Sequence, residues 1–70
     1  MPHIMKPCLT LSEKYEMEHF KESIEMVKKM AREDGFDFDV HEDDYQFSFN
    51  SKDVRDLVMS RLAVFFDQYK

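Results

Sequence analysis

Two runs of alternating residues constrain this chain most. In the first, Phe36, Phe38 and Val40 alternate with Asp37, Asp39 and His41. In the second, Tyr45, Phe47 and Phe49 alternate with Gln46, Ser48 and Asn50. Successive strand side chains point to opposite faces, so each run predicts a strand with one buried and one wet face. Together they predict an antiparallel hairpin over 36–50. Pairing Val40 with Tyr45, Phe38 with Phe47 and Phe36 with Phe49 puts every apolar residue on one face. The loop is then His41-Glu42-Asp43-Asp44. It lacks Gly, which favours a four-residue loop around a type I turn over a two-residue type I′ turn.

Helical patterns flank the hairpin. Thr10-Leu11-Ser12-Glu13 fits a capping box, with the Thr10 hydroxyl on a free N–H and Glu13 reaching back. Met17, Phe20, Ile24, Val27 and Ala31 then recur at helical spacing and form one core-facing stripe. The first helix is predicted over about 11–34, ending where Gly35 can supply the left-handed C′ conformation. A second helix is predicted over about 51–69, with Ser51 as N-cap and Asp53 well placed in the first turn. Its main stripe is Val54, Leu57, Val58, Leu62, Phe65 and Tyr69, widened by Val64 and Phe66. The segment before the first helix contains Pro2 and Pro7. Pro cannot donate to a ladder, so residues 1–10 form an edge strand, near Ile4–Leu9, or a flexible arm.

These elements predict a single α+β domain over 1–70. The order is (β)-α-β-β-α, a two-layer sandwich with two helices on the phenylalanine face of an antiparallel sheet. In element order alone it resembles a ferredoxin-like βαββαβ unit without its last strand.

Composition narrows the functional classes. The chain has 70 residues and one Cys, so an internal disulfide framework is excluded. Charged residues interrupt every apolar run before membrane-spanning length. No basic, apolar, small-residue segment opens the chain, which predicts no leader and a cytoplasmic protein. A single Gly rules out Walker and dinucleotide loops. Cys8 and the imidazoles of His3, His19 and His41 have no spacing that marks a nucleophile or a zinc site. Asp37, Asp39, His41 and Asp43 superficially follow a calcium loop, but Glu42 stands where its Gly belongs and Ser48 where its bidentate Glu belongs. No cofactor, metal site or catalytic residue is predicted.

Charge and surplus apolar surface carry the functional expectation. Ten Lys+Arg stand against fifteen Asp+Glu, a net charge of −5. From Glu33 to Asp44, seven of the twelve residues are acidic and none is basic. Asp37, Asp39, Glu42, Asp43 and Asp44 therefore predict a negative lobe that complements a basic surface. Tyr15, His19, Met26 and Met30 form a second line on the first helix and predict an exposed contact seam. The second helix has an apolar arc wider than a two-layer domain needs, with Arg61 inside it, so residues 1–11, a partner or a second subunit must cover the surplus. The expectation is a small acidic regulator, inhibitor or accessory subunit that binds protein without catalysing a reaction. The alternative is a nucleic-acid-binding domain using Lys14, Lys21, Lys28 and Arg32 on one helix flank, though an acidic domain is poorly suited to it.

Overall fold

The computed structural model describes residues 6–70. Its elements are β1 (Cys8–Thr10), α1 (Lys14–Glu18), α2 (Phe20–Asp34), β2 (Phe38–His41), β3 (Gln46–Phe49) and α3 (Lys52–Phe66). Single 3-10 turns follow β2 and α3, at Glu42–Asp44 and Asp67–Tyr69. The fold is α+β, as the alternation and the helical spacing predict.

The sheet order is β1-β3-β2, and β3 runs antiparallel to both neighbours. β1 and β2 are thus parallel, joined through α1 and α2, with β3 between them. This is a split β-α-β arrangement followed by a helix. Cys8–Thr10 form an edge strand. Ile4 and Met5, where that strand was expected to begin, lie outside the described residues.

One sheet face is apolar. Leu9 lies beside Phe47, and Phe47 beside Val40. Phe47 is fully buried and Phe49 nearly so. Rings of Phe36, Phe38, Phe47 and Phe49 stand 6.2–6.4 Å apart between neighbours, a spacing at which aromatic pairs attract. Val27 of α2 and Val58, Leu62 and Phe66 of α3 close the same core. The other face is polar. Gln46 Nε2 donates to Thr10 Oγ1 at 2.9 Å, and His41 Nε2 lies 3.1 Å from Ser48 Oγ.

The hairpin register differs from the expected one by two residues. Phe38 pairs with Phe49 and Val40 with Phe47. Tyr45 leaves the strand and adopts the left-handed conformation, φ 51°, after the 3-10 turn. The loop is therefore Glu42–Tyr45, not His41–Asp44. A shift of two keeps every side chain on its face, so alternation alone does not discriminate the two registers.

The first helix also differs. It breaks at His19, whose φ −110° and ψ 27° are not helical. Its cap is three residues later than Thr10. Glu13 is the N-cap, and Glu16 Oε1 accepts from the N–H groups of Glu13 (3.1 Å) and Ser12 (3.3 Å). Thr10 cannot cap because it belongs to β1. The far end matches expectation: Gly35, φ 73°, and Phe36 both donate to the Ala31 carbonyl, at 2.8 and 3.2 Å. Ser51 caps α3, accepting from the Val54 N–H at 3.2 Å.

Candidate functional site

The acidic residues are strung along β2: Asp37 precedes the strand, Asp39 lies within it, and Glu42–Asp44 follow it. Asp37, Asp39, Glu42, Asp43 and Asp44 are all exposed. Asp39 sits on the polar face of β2, with Lys6 Nζ 3.3 Å from its Oδ2. Both groups are more than half exposed, so this pair contributes little to stability. Glu42, Asp43 and Asp44 make the 3-10 turn itself. Among the described residues, Asp37 and these three carboxylates have no cationic partner within salt-bridge distance.

The turn is anchored at its base. Tyr45 N–H donates to the Glu42 carbonyl at 3.3 Å, and the Tyr45 carbonyl accepts from Leu11 N–H at 2.9 Å. The Tyr45 ring meets the Phe20 ring edge-on, with centroids 5.3 Å apart. The carboxylates therefore stand on a loop tied to both the β1–α1 connection and α2. β2 beneath them is an edge strand, with one unpaired side.

The expected Tyr15–His19–Met26–Met30 seam is not an exposed contact surface. Met30 is 8% exposed and belongs to the core. Tyr15 and Met26 are half-buried against that core. The Tyr15 ring meets Phe66 edge-on at 6.2 Å, and the His19 ring stacks on Tyr69 at 3.6 Å. Tyr15 and His19, which look surplus on an isolated helix, meet the end of α3 and the turn that follows it. His19 Nδ1 is buried without a hydrogen bond, 3.8 Å from Glu22 Oε2. Lys70 sits near the same end, and its ammonium is held above the ordinary lysine value by its hydrogen bond to Asp67.

The basic flank is interrupted. Lys14 is on α1 and lies 3.9 Å from Glu18, whereas Lys21, Lys28 and Arg32 are on α2, beyond the His19 break. Lys28 pairs with Glu25, three residues earlier on the helix, at 3.3 Å. Glu18 pairs with Lys14 and not with Lys21. Cys8 is exposed on the polar sheet face and its thiol donates to the Lys6 carbonyl at 3.3 Å. His41 bonds Ser48, so Cys8 and His41 do not form a hydrogen-bonded pair. Among the described residues, no three His, Cys, Asp or Glu side chains converge to hold a metal ion.

The surplus apolar surface is on α3. Leu57, expected in the core stripe, is 39% exposed, and Val64 is 72% exposed. Phe66, expected at the margin, is buried instead. On the opposite flank Met59 borders a half-open groove of ≈ 280 Å³, which Leu9, Leu11, Leu62, Ala63 and Phe66 also line. The β1–α1 connection thus covers one side of α3 in part and leaves Leu57 and Val64 uncovered. The width of the apolar arc was the signal for this. Which flank stays open depends on where β1 lies. No helix among the described residues is long and apolar enough to cross a membrane. Comparisons with protein-family models, curated protein sequences and solved structures find no significant match.

Proposed function

We propose that this chain is a small cytoplasmic regulator, inhibitor or accessory subunit that binds a protein with a basic surface and catalyses nothing. One observation carries the reading: an anchored turn, Glu42–Asp44, presents three exposed carboxylates beside the open β2 edge. Clustered charge of one sign steers encounter with an opposite surface and disfavours acidic partners. The turn's ties to Leu11 and Phe20 limit the loop entropy lost on docking. The β2 edge offers backbone donors and acceptors to an added strand. Asp37 precedes that edge strand without a cationic partner among the described residues and favours Lys or Arg on the incoming segment.

The test is a tagged capture from native lysate, with and without nuclease, read by mass spectrometry. The wild type is run beside a variant carrying Asp37→Lys, Asp39→Lys, Asp43→Lys and Asp44→Lys. A stoichiometric protein partner that survives nuclease and is lost by the variant is expected, with affinity falling as salt rises. Circular dichroism of the variant should match the wild type. Equal capture by both proteins overturns the lobe as the binding surface. Recovery of nucleic acid alone moves the assignment to Lys14, Lys21, Lys28 and Arg32.

A further inference from the structure

We propose that the uncovered flank of α3 is a self-complementary surface on which a second copy of this chain docks. Asp53, Leu57 and Arg61 are spaced four apart and form one ridge along the helix. All three are exposed. Among the described residues, neither Asp53 nor Arg61 has an ion-pair partner. The ridge therefore reads acid, apolar, base, with the apolar residue at its centre.

A two-fold axis through Leu57 reverses that order. It sets Leu57 against its own copy, and Asp53 of each protomer against Arg61 of the other. An isologous contact needs this property, because both subunits offer the same patch. Ridges of this kind interdigitate at a crossing near −50°. Each ridge then lies in the groove beside the neighbouring row Asp56–Ser60–Val64, where Asp56 is already paired with Arg55. That placement covers Val64, the most exposed of the large apolar residues. The alternative two-fold axis, through Arg61, brings two guanidinium groups together and is disfavoured.

Area sets the strength. α3 has 15 residues and is about 22 Å long. One helix face offers less than the roughly 800 Å² per partner of a standard interface. The contact is thus smaller than a standard interface, and the dimer is reversible. The contact shares no residue with the hairpin lobe and does not depend on the lobe's function.

The experiment is sedimentation equilibrium of the full chain from about 5 µM to about 1 mM. The wild type should pass from monomer to dimer across that range. Asp53→Lys alone and Arg61→Asp alone should each weaken association at least about tenfold, because each places like charges opposite each other. Mixing the two single variants should restore a dimer, since each then offers the charge that the other needs. Circular dichroism confirms that both variants are folded before mixing. If either variant is unfolded, Leu57→Glu serves in its place and should abolish the dimer. A wild type that stays monomeric to 1 mM overturns the proposal. So does a dimer that Arg61→Asp and Leu57→Glu leave intact, or single variants that fail to associate when mixed.

Discussion

Two residues take the left-handed backbone conformation, for different reasons. Gly35, φ 73°, ends α2, and a Cβ built there meets nothing within 4 Å. Gly35→Ala should therefore cost only the backbone strain, about 1 kcal/mol, without repacking. Urea denaturation should show a lower midpoint at an unchanged slope. Tyr45, φ 51°, bears a similar strain with a bulky side chain. Its ring on Phe20 and its carbonyl on Leu11 N–H offset that strain. The Gly35 conformation is legible from residue type alone. The Tyr45 conformation is not, because the groups that stabilise it come from α2 and the β1–α1 connection.

At the scale of elements, the helix break shows how packing overrides a continuous pattern. The spacing from Met17 to Ala31 suits one helix. With the chain broken at His19, Tyr15 and His19 reach Phe66 and Tyr69 while Phe20 enters the core. The shifted cap is testable. Glu16→Ala should cost about 1 kcal/mol by freeing the N–H groups of Ser12 and Glu13. Amide exchange in α1 should quicken while β3 stays protected. Thr10→Val should leave α1 unchanged, because the Thr10 hydroxyl serves Gln46 on the polar sheet face. A cap at Thr10 would give the opposite result.

For the whole molecule, size makes β1 indispensable. A chain of 70 residues has a core that supplies about 3–5 kcal/mol. β1 contributes Leu9, and the segment around it satisfies the Phe49 N–H through the Pro7 carbonyl at 2.9 Å. Deleting residues 1–10 should expose Phe47 and leave β3 as a bare apolar edge. The truncated chain is expected to show no cooperative thermal transition and to aggregate, as read by circular dichroism and light scattering. A flexible arm, in contrast, would be removed at no cost. The same marginal core makes the uncovered α3 flank a useful place for a second copy to add burial.

What the sequence determined by itself is local. Period two set the strand faces, Ser51 the start of α3, and Gly35 the end of α2. Each depends on residues within a few positions of one another, so local chemistry suffices. The acidity of the hairpin was legible for the same reason. Tertiary structure decided the rest. The register moved by two because both pairings bury the same rings, and the choice fell to a turn braced from outside the hairpin. Met30 went inside and Leu57 outside, because burial depends on how the helices and the sheet pack together and neither helix specifies that alone. The candidate site divided likewise. The carboxylates of the lobe could be read one residue at a time, whereas the open face of α3 exists only where β1 and α2 leave it uncovered.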